Sequence, residues 1–148
     1  LLRKFPVWFG SDVNLFYYDT ESLLNDNVFN YTEFDFNKTN MFLKKENSIQ
    51  HYQTNVNHAM LLHGFYYNKS KQNPNYWIVE NSHDSKLDEV SYEENYGYIK
   101  MSDSWFNKHV IMAIINQDSI SSKEIRDKIK NKDNIIELPK WTNLGELL

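Results

Sequence analysis

The sequence contains no cysteine, and its 148 residues include only four glycines and three prolines. Without cysteine the chain can form neither a disulfide-stapled secreted module nor a cysteine metal site. No segment approaches the roughly 18 consecutive apolar residues of a membrane span, and the N-terminus does not resemble a signal peptide. A net charge of -4 gives no electrostatic reason to expect a nucleic acid or an anionic membrane as partner.

The composition is that of a folded protein with enough chain for one domain. Hydrophobic residues make up 41% of the sequence and aromatic residues 16%, which is too much for a disordered protein. Neither an internal repeat nor a linker divides the chain, so we expect one unit. The missing signal sequence and the absence of cysteine favour a reducing, cytoplasmic compartment. Because the chain begins with Leu1 and not with Met, we expect it to be part of a longer translation product.

Five segments have the apolar pattern of β-strands, and loops rich in polar residues separate them. Together with the helices described next, they predict one α+β unit built on an antiparallel sheet. The predicted strands lie within residues 5–13, 56–67, 75–82, 96–102 and 109–116.

The helical signals are short. Ser102 is a good N-cap and predicts a single helical turn over 103–108. Residues 121–131 predict an amphipathic helix, with Ile125 and Ile129 on one face and a serine cap before it. We also expect one or two helical turns in 19–26, an ordered surface excursion over the rest of 14–50, and no regular element in 135–148.

Two of the predicted strands carry a polar residue where an apolar one would pack better, namely His58 and Asn81. Strand alternation places His58 on one face with Met60 and Leu62, and His63 on the other, so the two histidines cannot bind one metal ion. The other three histidines lie in or beside loops without ligand spacing, and we expect no metal site. Taken alone, His58 has the pattern of a core histidine whose hydrogen bonds are satisfied.

Asn81 changes that interpretation. An asparagine amide cannot transfer a proton, but its oxygen can accept a hydrogen bond from an imidazole, which fixes the ring and its tautomer. His58 and Asn81 on neighbouring strands therefore fit the second and third members of a Cys-His-Asn catalytic set, with the cysteine upstream of this chain. A serine or threonine within the chain is also conceivable as nucleophile, Ser11 and Ser82 included, but none lies in a nucleophile elbow or near a helix start that would expose and activate it.

Several segments, taken together and in order, are specific enough to indicate a protein family. They are "FPVWFGSDV", "NHAMLLHGFYY", "YWIVENSHD", "YGYIKMSDSWFNKHV" and "ELPKWTNLGELL". In order and rough spacing they resemble the C-terminal half of the bleomycin hydrolase or aminopeptidase C family of papain-like cysteine peptidases. The resemblance implies that 1–148 is the β-barrel-like half of such a domain, with an antiparallel sheet, a short C-terminal helix and a C-terminal arm over 138–148. The helical half, with the cysteine and the oxyanion-hole glutamine, would lie upstream.

The resemblance also implies roles for individual residues and partners. His58 would be the catalytic histidine and Asn81 the residue that orients it, in an aminopeptidase that needs no cofactor and acts on peptides. The implied partners are the upstream half of the same protein and further copies of the chain in a homo-oligomer, a hexamer by family resemblance. By itself the chain would be inactive. The remaining implied positions are Gly10, Val56, Asn57 and Ala59 near the substrate pocket, Trp141 and Leu144 as anchors of the arm, and Leu147 and Leu148 as its gate.

Two departures from the family pattern leave alternatives open. The family has Trp-Gly after the Asn-Ser pair, where this chain has His83 and Asp84. Either the His–Asn hydrogen bond is then more exposed to water and weaker, or another aromatic residue, for which Trp105 is a candidate, covers it. The family often has Cys at the position of Ser11, which carries no mechanistic weight. The alternatives are a non-catalytic relative that acts as a structural or interaction module, and an unrelated all-β binding domain.

Overall fold

A mixed sheet forms the centre of the structure, a computed structural model that describes residues 6–14, 17–18, 21–28, 43–67, 74–82, 97–142 and 144. The strands are β1 (Val7–Ser11), β2 (Tyr17–Tyr18), β3 (Leu23–Leu24), β4 (His58–Tyr67), β5 (Pro74–Glu80), β6 (Tyr98–Ser102) and β7 (Val110–Ile114). The helices are α1 (Lys45–Gln50), α2 (Asp103–His109) and α3 (Lys123–Lys130), with short 3-10 turns at Gln117–Ser119 and Lys132–Asn134. Within these residues the seven strands form one sheet in the order β2-β3-β6-β5-β4-β1-β7.

The five predicted strands are confirmed as β1, β4, β5, β6 and β7, and each pairs antiparallel with its neighbours among them. The two helices predicted from their caps are confirmed as well. The hydroxyl of Ser102 accepts a hydrogen bond from the backbone N–H of Trp105 at 3.1 Å, and that of Ser122 accepts one from Ile125 at 3.3 Å. Each cap satisfies a backbone donor that the first helical turn leaves unpaired.

The helical turns expected within 19–26 are wrong where Leu23 and Leu24 lie, because these residues form β3. Leu24 pairs with Met101 of β6, in the one parallel pairing of the described sheet, and its side chain is fully buried. Burial against a neighbouring strand outweighs the local sequence preference here. The helix α1 was not predicted, and it has no side-chain hydrogen bond at its N-cap, Lys44, that could have signalled its start.

The core lies on one face of the sheet. In β4, Met60 and Leu62 are buried and His63 is exposed, which confirms the predicted alternation along this strand. The helix α2 closes the core from one side with Trp105, whose side chain is fully buried. The buried apolar cluster consists of Phe9, Leu24, Met60, Leu62, Val79, Ile99, Met101, Trp105 and Val110.

The chain after β7 leaves much of its apolar surface uncovered. Ile125 and Ile129, the apolar pair of α3, are 50% and 45% exposed, and Ile136 and Trp141 are 83% and 76% exposed. No helix in the described ranges is both long and apolar enough to cross a membrane.

His109 at the end of α2 is a buried histidine. It is 7% exposed, and its ring lies 4.9 Å from the ring of Trp105. Burial lowers the pKa of His109 to about 4, and the positive charge of Lys108 adds to that effect. Lys45 acts in the same direction, whereas the carboxylates of Asp26 and Asp12 oppose it. The imidazole is therefore neutral in the folded protein at neutral pH.

This neutral histidine predicts a loss of stability in mild acid. Between pH 6.5 and about 4 the unfolded chain binds a proton at His109 that the folded chain does not bind, so the unfolding free energy falls as the pH falls through this range. The loss amounts to at most about 3 kcal/mol. Urea unfolding at a series of pH values should show a smaller fall for His109→Phe than for wild type.

The matched control is His51→Phe, since His51 is exposed and follows α1. Its unfolding free energy should keep the wild-type dependence on pH. Equal pH dependence in the His109 and His51 variants would contradict the assignment of the effect to His109.

Candidate active site

His58 and Asn81 lie side by side because of the way β4 and β5 pair. His58 is the first residue of β4, and Asn81 directly follows the last residue of β5, Glu80. In an antiparallel pair the start of one strand lies beside the end of the other. The register, with Leu61 opposite Glu80, brings the two polar residues together at one end of the sheet.

The two side chains form a short hydrogen bond. Nε2 of His58 lies 2.7 Å from Oδ1 of Asn81, and the pair is partly buried. An amide oxygen can only accept a hydrogen bond, so Nε2 must donate, and the neutral ring carries its proton on that atom. Nδ1 is then the basic nitrogen, and it can accept a proton from a nucleophile. The sequence prediction that Asn81 fixes the tautomer of His58 fits this geometry.

Asn81 is also fixed through its backbone. Its N–H donates to the carbonyl oxygen of Gly97 at 2.8 Å, directly before β6. Gly97 has a φ of +78°, a conformation that glycine adopts without the steric cost that a Cβ atom would bring. The turn into β6 therefore holds the backbone of Asn81, and the adjacent pairing of Glu80 with Tyr98 keeps β5 and β6 in register.

The predicted pocket residues meet around the start of β4. Gly10 of β1 lies opposite Ala59 of β4, and a Cβ atom on Gly10 would lie only 2.8 Å from Cγ1 of Val56. Asn57 directly precedes His58 and is exposed, and its backbone N–H donates to Ser11 at 3.2 Å. The four residues are thus brought together next to His58, and their contact with a substrate stays a prediction.

Ser11 cannot serve as the nucleophile for His58. It is fully buried, and its hydroxyl is without a hydrogen-bond partner among the described residues. A substrate cannot reach a hydroxyl in that position. Ser82 is exposed directly after Asn81. Within the described ranges no three His, Asp or Glu residues approach one another closely enough to hold a metal ion.

Several predicted positions have roles that stay predictions. Trp105, proposed to cover the His–Asn bond, is fully buried and lies against His109. Trp141, the predicted anchor of the arm, is 76% exposed, and Leu144 is partly buried. Four further residues lie outside the described residues: His83, Asp84, Leu147 and Leu148.

Asp12 is a residue of the site region that the sequence analysis did not single out. It follows β1 and is only 6% exposed, although its side chain is a carboxylic acid. Charged side chains are rarely buried unless they are paired or hydrogen-bonded. No local sequence pattern reveals this burial, because it depends on loop residues more than 40 positions away in the chain.

Comparison with known proteins supports a common origin over almost the whole chain. Residues 3–145 match the Peptidase C1-like family. The chain is 31% identical over 142 residues to Aminopeptidase C of Lactobacillus helveticus and covers 95% of its own length in that match. It is 26% identical over 144 residues to "Cysteine proteinase 1, mitochondrial" of Saccharomyces cerevisiae (strain JAY291), again over 95% of its length.

The fold is shared with a solved structure. The crystal structure of PepW from Lactobacillus rhamnosis superposes with a TM-score of 0.76 and 29% sequence identity, over 95% of this chain. The chain spans 29% of the length of the Lactobacillus helveticus protein and 27% of the yeast protein, and 29% of the PepW chain. It therefore corresponds to less than a third of each relative.

The close approach at Gly10 predicts that this residue cannot be enlarged. A Cβ atom at Gly10 would lie 2.8 Å from both Cγ of Met112 and Cγ1 of Val56, and neither atom is the free end of a flexible chain. Gly10→Ala should therefore lower the unfolding free energy by about 1–3 kcal/mol through overpacking. Urea unfolding followed by circular dichroism measures this loss.

Gly64→Ala is the matched control, because a Cβ atom on Gly64 in β4 would meet Ile78 at an ordinary 3.7 Å. Its unfolding free energy should stay unchanged or rise by up to about 1 kcal/mol. If both variants lost the same stability, the contacts at Gly10 would not be the cause.

Proposed function

Because the chain belongs to the Peptidase C1-like family, we propose that it supplies the catalytic histidine and asparagine of a cysteine aminopeptidase. His58 is the general base and acid, and Asn81 orients it. The nucleophile is a cysteine on a helical half of the same protein, upstream of this chain, which by itself is inactive. The substrates are peptides with a free N-terminus, and a reducing compartment such as the cytoplasm keeps the thiol active.

One observation carries the proposal, namely the 2.7 Å hydrogen bond between Nε2 of His58 and Oδ1 of Asn81. This bond satisfies the ring N–H, as a core histidine would also require, and in addition it leaves the second nitrogen basic and fixed in direction. In a Cys-His-Asn set this arrangement is needed, because the base must point one defined nitrogen at the thiol. The names of the relatives, Aminopeptidase C and a cysteine proteinase, support the same chemistry.

In the proposed reaction the cysteine thiol transfers its proton to Nδ1 of His58, which leaves a thiolate beside an imidazolium. The thiolate attacks the carbonyl carbon of the peptide bond and forms a tetrahedral intermediate. When the C–N bond breaks, His58 returns the proton to the departing amine, and a thioester remains. Water, deprotonated by His58, then attacks the thioester and releases the acid and the thiol.

The uncovered apolar surface supports the existence of a second half. Ile125, Ile129 and Ile136 expose about half or more of their surface. Trp8 and Ile114 lie opposite each other on β1 and β7 and are 52% and 62% exposed. The cysteine-bearing half, or further copies of the protein in a homo-oligomer, would cover these side chains. A non-catalytic relative would need the same cover, so this surface does not separate the two functions, whereas the His58–Asn81 geometry favours the peptidase.

Substitution of the two site residues tests the proposal in the protein that contains both halves. His58→Ala should lower kcat on the order of 10⁶-fold, because the base and the acid are both lost. Asn81→Ala should cost roughly a hundredfold less, since the base remains but is less well oriented. The double variant should be no slower than His58→Ala, because residues that act as one unit are not additive.

His63→Ala is the matched control, because His63 lies five residues along the same strand on the opposite, exposed face. Its turnover of an aminoacyl-amide substrate should equal that of wild type. Turnover of His58→Ala at the level of His63→Ala would make His58 a core residue and favour the non-catalytic module.

The preference for free N-termini is proposed to come from the end of the chain. By family resemblance the arm 138–148 lies in the cleft, with Leu147 and Leu148 as its gate. A terminal carboxylate there would pair with the ammonium group of the substrate, and the arm would block longer extensions. Deletion of residues 145–148 should therefore admit N-acetylated peptides, which the intact enzyme rejects.

The ratio of kcat/KM for a free peptide to that for its N-acetylated form measures this change. It should fall at least tenfold on deletion, while cleavage of the free peptide remains detectable. An unchanged ratio in the deletion variant would leave the arm without a gating role, although the catalytic roles of His58 and Asn81 would still stand.

A further inference from the structure

The carboxylate of Asp12 is the centre of a partly buried hydrogen-bond cluster at the start of β4. Oδ1 accepts from Nδ2 of Asn57 at 2.6 Å and from the backbone N–H of Asn14 at 3.2 Å. Oδ2 accepts from the hydroxyl of Thr54 at 3.1 Å and from the backbone N–H of Asn55 at 3.2 Å. Asp12 and Thr54 are 6% and 5% exposed. We call Asp12, Thr54 and Asn57 the Asp12 clamp.

The clamp holds the segment that leads into His58. Residues 51–57 cross from α1 to β4 outside any helix or strand. Three of the four bonds to the Asp12 carboxylate come from residues 54, 55 and 57 of this segment. The side-chain oxygen of Asn57 also accepts from the backbone N–H of Val13 at 3.0 Å. The side chain of Asn57 is therefore hydrogen-bonded to both residues that directly follow β1, Asp12 and Val13.

The clamp is in turn fixed to the rest of the sheet. The backbone N–H of Asp12 donates to the carbonyl oxygen of His109 at 3.4 Å, where α2 ends. The backbone N–H of Asn57 donates to Ser11, which is the residue opposite His58 in the β1–β4 pairing. A buried carboxylate whose lone pairs are all occupied by fixed donors gives a rigid attachment, because moving any one donor leaves a buried charge less well compensated.

We propose that Asp12 is a positioning residue for His58, which sets where the imidazole Nδ1 meets the nucleophile. The inference rests on the proposed peptidase function for its kinetic consequence, but the effect on the position of His58 does not depend on it. Asn81 fixes the orientation of the ring, and the Asp12 clamp fixes the backbone that carries it. A displacement of about 1 Å between reacting groups can lower a rate about a hundredfold.

The donor-to-acceptor direction of each hydrogen bond in the cluster allows the positioning role to be tested by exchanging a donor for an acceptor. Asp12→Asn replaces one acceptor oxygen of residue 12 by an amide N–H. In either orientation of the side-chain amides of residues 12 and 57, at least one N–H then points at another hydrogen-bond donor. Asn57→Asp places a second carboxylate at the 2.6 Å contact. In the double variant Asp12→Asn/Asn57→Asp the new amide donates to the new carboxylate, and its oxygen still accepts from Thr54 and Asn55. The new carboxylate still accepts from Val13, while the bond from Asn14 is replaced by a contact between two N–H donors.

The kinetic experiment uses the protein that contains both halves, with each variant titrated by a thiol-directed inhibitor so that kcat refers to active sites. Each single substitution should lower kcat by about 10- to 100-fold with a smaller change in KM, and the double variant should recover part of the loss. Ser11→Ala is the matched control, because Ser11 is adjacent and buried but its hydroxyl has no hydrogen-bond partner among the described residues. Its kcat should equal that of wild type.

A second readout separates failure of this inference from failure of the proposed function. The Nε2–H proton of His58 gives an NMR signal whose shift and exchange rate report the bond to Asn81 whether or not the protein cleaves peptides. Both single variants should shift this signal and speed its exchange, and the double variant should restore it in part. Wild-type signals in Asp12→Asn, or a double variant no closer to wild type than the singles, would overturn the positioning role.

Discussion

The hydrogen bond between His58 and Asn81 depends on the antiparallel pairing of β4 and β5. The two residues are 23 positions apart in the chain, and the pairing alone places the start of one strand beside the end of the other. A slip of one residue in that register would turn one of the two side chains to the opposite face of the sheet. Val79 and Met60, both buried next to the pair, resist such a slip because it would expose them. The apolar core and the polar site are therefore specified by the same strand register.

Each member of the pair is held by a different kind of contact. Asn81 is fixed by ordinary sheet geometry, through the bond of its backbone to Gly97 and the pairing of β5 with β6. His58 lies where regular pairing stops, since a loop precedes it and β1 shifts its register with β7 at Gly10 and Ser11. A buried carboxylate, Asp12, supplies at that point the hydrogen bonds that a neighbouring strand would supply elsewhere. These hydrogen bonds compensate the burial of the Asp12 carboxylate, which would otherwise be costly.

Much of this arrangement could be predicted from the sequence, and the part that could not has a common cause. The strands β4 to β7 show apolar patterns, the caps Ser102 and Ser122 mark two helices, and His58 and Asn81 stand out as polar residues in apolar strands. The short strand β3 is missed because two consecutive leucines cannot show the alternation of apolar and polar residues that marks a strand. Its position is decided by burial of Leu24 beside β6. The burial and hydrogen bonding of Asp12 are missed because three of its four donors lie more than 40 residues away in sequence. Local patterns predict elements, whereas contacts between distant loops need the fold.

If His58 and Asn81 belong to the proposed Cys-His-Asn set, the position of the basic nitrogen shows how two of its three members can be built into one sheet. The amide of Asn81 takes one side of the imidazole ring, so Nδ1 is the only ring nitrogen left with a lone pair. A group that supplies the nucleophile must approach from the Nδ1 side, and it need not alter the strands that hold the ring. The sheet can therefore set the orientation and tautomer of the base before the nucleophile arrives, which leaves less reorganisation for the reaction itself. In the proposed enzyme, alignment would then depend on how the nucleophile-bearing part docks and on how firmly the start of β4 is held, and Asp12 would contribute to the second of these without contact to the reacting atoms.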